Sequence, residues 1–170
     1  GLHQLSLSTA GSSTNSGSLF DVIPQSTGDF SAGDQQIISN ETAEAHAVYP
    51  ADLDGDGDLD LVSASYADDK IAWYENIDGY GNYGPQQLIT NSTDGPRAVW
   101  AADLDNDGDL DVISSSRFDD KVAWYENTDG AGTFGSQQII STTVNSARGI
   151  YTADVDGDGD LDVISTASLG

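Results

Sequence analysis

The sequence predicts an all-β chain assembled from blade-like units of four antiparallel strands, and three observations carry that prediction. One acidic nonapeptide occurs three times, each copy 51 residues from the last. Between the copies lie short runs of alternating apolar and polar residues, bounded by Gly, Asp and Asn turn signals. No segment of the repeats carries the 3.6-residue period of a helix. A unit of this length holding four such runs has the size of one propeller blade.

The elements follow in order from the 51-residue register. Residues 1–18 fall in GLHQLSLSTAGSSTNSGSLF, rich in Ser, Thr and Gly, which reads as a linker or, through the alternation of Leu5-Ser-Leu-Ser-Thr9, as a donated strand. Residues 19–45 are a half-blade: a shift of 51 places Gln35-Gln36-Ile37-Ile38 on Gln86-Gln87-Leu88-Ile89 and Leu19–Gln25 on Lys70–Asn76, so they are strands three and four. Residues 46–96 are the first whole blade, with strands His46–Asp52, Leu59–Ser65, Lys70–Asn76 and Gln86–Thr90. Residues 97–147 are the second, with Arg97–Asp103, Leu110–Ser116, Lys121–Asn127 and Gln137–Ser141. Asp68-Asp69 and Asp119-Asp120 mark one hairpin of each blade, while Asp78-Gly79 and Asp129-Gly130 mark the next, where Gly accepts positive φ at no cost. Residues 148–170 are strands one and two only, Arg148–Asp154 and Leu161–Ala167.

The nonapeptides read DLDGDGDLD, DLDNDGDLD and DVDGDGDLD. They place carboxylates at Asp52, Asp54, Asp56, Asp58 and Asp60; at Asp103, Asp105, Asp107, Asp109 and Asp111; and at Asp154, Asp156, Asp158, Asp160 and Asp162. At an effective dielectric of about 20, two carboxylates about 4 Å apart repel by roughly 4 kcal/mol, so five in one turn require a cation. Oxygen-only donors at alternate positions suit calcium better than zinc, which prefers nitrogen and sulfur, or magnesium, which keeps its waters. An EF-hand would close with a bidentate Glu at position 12; Ser63, Ser114 and Ser165 stand there, and the flanks alternate as strands. The ninth residue closes the loop instead.

A DxDGDGDxD loop between two strands, followed by Trp-Tyr-Glu-Asn, a Gly-rich turn and a short QQII strand, resembles the FG-GAP/VCBS repeat of calcium-binding β-propellers, a family that includes the integrin α-subunit head and many secreted bacterial proteins. Tyr83-Gly84 and Phe134-Gly135 resemble the first half of its signature. The resemblance implies side-chain ligands at loop positions one, three, five and nine, namely Asp52, Asp54, Asp56 and Asp60 with their counterparts in the other two copies. It implies that Asp58, Asp109 and Asp160 offer their backbone carbonyl. The expected cofactor is therefore Ca2+, about three ions.

A formal charge of −24, from 29 acidic and 5 basic side chains, excludes nucleic acid and insertion at an anionic membrane as partners. Loops of this kind fill where calcium is millimolar, which points to an extracellular setting, secreted or at the cell surface. No signal peptide or apolar span of membrane length is present, and the start at Gly1 without an initiator Met reads as a mature or excised segment. About three blade-equivalents are fewer than the four to eight that close a propeller. The open ends are satisfied by the remainder of a longer propeller, by residues 1–18 folding back, or by a second copy, as a ring of about six blades or a head-to-tail filament.

Trp73 and Trp124, at one repeat position, are expected in the core or between blades. His46, Arg97 and Arg148 share the start of the innermost strand and are expected to be structural cations near the acidic loops. Glu75 and Glu126 repeat with the fold rather than face each other across one cleft, as glycosidase carboxylates must. Asn40-Glu-Thr42 and Asn91-Ser-Thr93 read as polar turns between blades. The expected function is a non-catalytic module for adhesion or self-assembly, with a glycan or protein as further ligand; the alternative is the propeller of a secreted carbohydrate-active enzyme, resembling polysaccharide lyases.

Overall fold

A computed structural model describes residues 20–22 and 36–168. Twelve strands form four antiparallel sheets and no helix occurs among these residues. β1 (Phe20–Val22) pairs with β2 (Gln36–Ser39); β3 (Ala45–Ala51), β4 (Asp60–Ser65), β5 (Lys70–Tyr74) and β6 (Gln87–Thr90) form one four-stranded meander. β7 (Pro96–Ala102), β8 (Asp111–Ser116), β9 (Val122–Tyr125) and β10 (Gln138–Ser141) form the other, and β11 (Gly149–Ala153) pairs with β12 (Asp162–Thr166). The architecture is an open arc of propeller-type blades. The N-terminal segment 1–18, with its linker and donated-strand readings, and most of Leu19–Gln25 lie outside the described residues.

The third strands stop earlier than the alternation predicts, at Tyr74 and Tyr125 rather than Asn76 and Asn127. The reason is local: each Asn turns its backbone N–H onto a buried Asp carboxylate, and it bridges across the following turn to Tyr83 or Phe134. Both meanders carry the same bulges, one in the first strand (between Ala45 and Ala47, between Pro96 and Ala98) and one in the outer pair.

Neighbouring blades pack with their innermost strands adjacent, β7 against β3 and β4, and β11 against β7 and β8. The second strands β4 and β8 are buried along their whole length, because each is covered on both faces. Their C-terminal halves use small side chains, Ser63-Ala64-Ser65 and Ser114-Ser115-Ser116, which let adjacent sheets approach. One core joins Val62, Ile71 and Trp73 of the first meander to Val99, Val112 and Tyr125 of the second. Trp73 is 3% exposed; its ring lies edge-on to Phe134 at 6.4 Å and against Gly132 of the following blade. A Cβ at Gly132 would overlap that indole, so the glycine is required by the Trp.

Two further ties run between blades. Asp69, at positive φ in the β4–β5 hairpin, accepts the Gly95 N–H at 2.8 Å, and Asp120 accepts the Ser146 N–H at 2.7 Å. Tyr49, Trp100 and Tyr151, one per innermost strand and spaced by 51, form an aromatic arc with centroids 4.2 and 4.9 Å apart.

Candidate metal centres

Each acidic loop joins the first and second strands of a blade, and its shape is set by two left-handed residues. Position four has φ of 73, 62 and 79° at Gly55, Asn106 and Gly157, a region Asn tolerates. Position six has φ of 95, 100 and 100° at Gly57, Gly108 and Gly159, where a Cβ is strained. That difference explains why the copies vary at position four and keep Gly at position six.

With the backbone curled this way, its N–H groups converge on the acidic side chains. Asp52 accepts from Gly55 and Gly57 at 2.8 and 3.1 Å, and Asp154 from Gly157 and Gly159 at 2.7 and 3.1 Å. Asp103 accepts from Asp107 and Gly108, both at 3.1 Å. Asp54, Asp105 and Asp156 each accept the N–H two residues on at 3.2–3.3 Å. Each carboxylate is oriented while retaining lone pairs for a cation.

The ninth residue anchors the loop from below. Asp60 takes N–H bonds from Leu53 at 2.9 Å and Asn76 at 2.8 Å, and Asp111 takes them from Leu104 at 3.1 Å and Asn127 at 2.9 Å. Both are buried, and burial pushes their carboxyls up, that of Asp111 to about 6. Burial, with Asp56, Glu75 and Asp52 nearby, also raises Asp54. A group forced toward its neutral form beside other carboxylates is what a bound cation relieves.

Carboxylate oxygens lie within 4.8 Å of one another in three groups: Asp52, Asp54 and Asp60; Asp103, Asp105 and Asp107; Asp154, Asp156 and Asp162. These oxygen-only sets could hold a hard divalent ion. Of the other expected side-chain ligands, Asp56 and Asp158 turn an oxygen to the N–H of Asp58 and Asp160 at 2.9 and 3.0 Å, and Asp111 forms the base of its loop outside the triplet. The seventh residues point their side chains elsewhere. Asp58 and Asp109 lie against Gly79 and Gly130 of the outer turn, and Asp160 accepts from Asn106 Nδ2 at 3.0 Å.

The cations at the start of the innermost strands are not beside these loops. A strand's length separates them: His46 stacks on Tyr66 at 4.5 Å and Arg97 lies over the same ring at 5.0 Å, at the opposite end of the blade. The residue that sequence reading left without a role is the Asn of Trp-Tyr-Glu-Asn. Asn127 donates its N–H to Asp111, donates from Nδ2 to Leu110 O and, at 2.8 Å, to Leu53 O in the preceding blade's loop, and accepts the Gly132 N–H. Asn76 makes the same bonds within its own blade. Its recurrence at 51 residues was the available signal.

Comparison with known proteins agrees with this geometry. No curated protein matches the sequence. Among solved structures, a lectin of Agrocybe aegerita, described as recognising non-reducing terminal N-acetylglucosamine, is similar with a TM-score of 0.57 at 21% identity. The likeness covers 89% of this chain and 42% of the lectin, so the chain spans less than half the lectin's length. The FG-GAP-like repeat matches three times in succession, at residues 10–63, 52–114 and 111–165. With nearly the whole length accounted for by consecutive copies of that repeat, the chain belongs to the FG-GAP-like repeat family.

Proposed function

We propose that the chain is a calcium-stabilised, non-catalytic extracellular repeat module that serves adhesion or structural self-assembly. The observation that supports this reading is the convergence of three carboxylates in every loop, at the tip of the hairpin that positions each blade against the next. Asp52, Asp54 and Asp60, then Asp103, Asp105 and Asp107, then Asp154, Asp156 and Asp162 would each hold an ion, and the ion would neutralise carboxylates that otherwise repel across the turn. The first loop bears directly on the blade interface, since Leu53 is fully buried in the core that joins the two meanders and its carbonyl accepts from Asn127. Ion binding there would stiffen the junction as well as the loop.

Calorimetric titration of the metal-free chain tests this, with about three calcium ions bound per chain as the expected stoichiometry. At 100 times the dissociation constant each site adds about 2.7 kcal/mol to stability. Identical melting in calcium and in chelator would refute it. A second reading, glycan binding, is favoured by the likeness to an N-acetylglucosamine-recognising lectin together with the partly exposed Tyr49–Trp100–Tyr151 arc, which offers ring faces to a sugar. Glycan-array binding that is lost in Trp100→Ala would support it.

A further inference from the structure

All five lysine and arginine side chains, Lys70, Arg97, Arg117, Lys121 and Arg148, stand at one end of their blades. The ladder rows place them there. Lys70 opens β5 opposite Ser65, the last residue of β4, and Arg117 and Lys121 lie in the hairpin between β8 and β9. Arg97 and Arg148 stand next to the rows that pair Pro96 with Ser116 and Gly149 with Thr166. The acidic loops join the other ends of the same strands, about 20 Å away over six residues. That exceeds two Debye lengths of about 8 Å at physiological salt, so the loops' charge is largely screened from this end.

Two of the five cations have carboxylate partners, Lys70 with Asp68 at 2.9 Å and Lys121 with Asp119 at 3.0 Å. Asp69 and Asp120 are committed to backbone N–H groups of the next blade. Among the described residues the arginines form no ion pair, in a chain with 29 acidic side chains. Two of them converge with an imidazole on one phenol. Arg97 lies over the Tyr66 ring with its guanidinium carbon 5.0 Å from the centroid, Arg117 Nη1 donates to Tyr66 Oη at 3.2 Å, and His46 stacks on the same ring at 4.5 Å. Phe118, 58% exposed, lies 5.5 Å from Tyr66 and 5.2 Å from the Arg117 guanidinium.

The backbone builds this cluster. His46 and Arg97 fall at the bulges of β3 and β7, where the extra residue leaves the ladder and its side chain is re-aimed. Gly95, at φ 63°, passes so close that a Cβ would overlap Phe118 and press on Tyr66. These residues belong to the two whole blades, so the cluster sits at the junction inside the chain. Arg97 Nε is shut off from water without a partner, and its guanidinium donates to no described residue, while its η nitrogens still reach solvent. Burial and then the Arg97 charge hold the His46 imidazole below its usual range, against the opposing pull of Glu44. The guanidinium charge is thus felt across the ring.

We infer that this junction is an anion site, in which Arg97 and Arg117 jointly take one carboxylate or sulfate group and the exposed Phe118 face lies beside it. Stacking on Tyr66 and Phe118 fixes the guanidinium groups and leaves their edge N–H donors, whose fork matches such an oxyanion. A bound anion offsets the hydration that Arg97 has lost and neutralises like charges gathered on one phenol. The site lies at the opposite end of the blade from the acidic loops and does not depend on the calcium reading.

The test is an NMR titration of the chain in calcium with sulfate, acetate and glucuronate, at ionic strength held constant with chloride, following the His46 ring and arginine Nε–H resonances. With His3 and His46 the only histidines, the imidazole signals are readily assigned. Saturable shifts are expected with the oxyanions and none with glucose. Comparable affinities mark the free oxyanion as the ligand, whereas a clear preference for glucuronate over acetate marks the acid group of a sugar. Arg97→Gln and Arg117→Gln are each expected to weaken binding about tenfold or more, and Arg117→Gln keeps the test decisive where Arg97→Gln misfolds. Lys70→Gln removes an ammonium already paired at the same end and is expected to cost about threefold or less. No saturable shift with any oxyanion, an equal response to glucose, or equal losses in Lys70→Gln and Arg117→Gln would each overturn the inference.

Discussion

Raising the pH of the metal-free chain from about 4 to about 6 should destabilise it, and adding calcium should reverse the sign of that dependence. The carboxyl of Asp111 lies fully buried at the base of the second loop. Burial pushes it from 3.8 to about 6, against the opposing pull of the N–H bonds from Asn127 and Leu104, with Asp105 and Asp107 adding to the rise. Between those two values the folded chain holds a proton that the unfolded chain has released. The native state thus binds more protons there, and stability falls as pH rises, levelling off above about 6. At about 1.4 kcal/mol per pH unit, the rise at Asp111 corresponds to about 3 kcal/mol of stability present below pH 3.8 and absent at pH 7. Burial moves Asp60 in the same direction, and mutual repulsion across a chain of formal charge −24 adds to the slope. With calcium bound, the converged loop carboxylates, Asp60 among them, are needed in ionised form, so protonation releases the ion and stability rises with pH. Urea unfolding followed by tryptophan fluorescence, in chelator and in millimolar calcium across this window, measures both slopes. A chelated chain that gains stability as pH rises, or two parallel slopes, would refute the reasoning.

Asn127→Ala removes the Nδ2 bond to Leu53 O across the blade junction and leaves buried groups unpaired, for an expected loss of about 1–3 kcal/mol in urea unfolding. Trp73→Ala opens a cavity between the two meanders, and about 3–5 kcal/mol is expected by the same measurement. Gly57→Ala places a Cβ at φ 95° and should cost about 1–2 kcal/mol and weaken calcium binding in titration. Gly157→Asn, at φ 79° with open space around it and Asn106 already serving in the same role, should leave both unchanged.

The parts of this fold that could be read in advance are those written as periodicity. The alternation in Leu59–Ser65 and Leu110–Ser116 and the Asp-Gly turns located the strands, and the 51-residue register assigned each strand its place in a blade. Legibility failed where one side chain interrupts a ladder. Asn76 and Asn127 look like strand continuation, but their backbone N–H is diverted to Asp60 and Asp111, a tertiary bond that no local pattern encodes. The acidic loops were visible as ligand sets, yet which oxygens converge is settled only by the folded side chains: Asp107 joins the second group while Asp56 and Asp158 stand outside theirs. The misplacement of His46 and Arg97 came from treating nearness in sequence as nearness in space. An extended strand carries its two ends about 20 Å apart over six residues.

The bond from Asn127 to Leu53 and the contact of Gly132 with Trp73 join one repeat to the next through residues that recur, or whose partners recur, every 51 positions. A junction written that way has no unique sequence of its own. In-frame duplication of a 51-residue stretch, wherever the cut falls, adds a blade together with a ready-made seam, and deletion of one heals the seam between its neighbours. Blade number in such a chain can change by recombination alone, in whole steps and ahead of any point mutation.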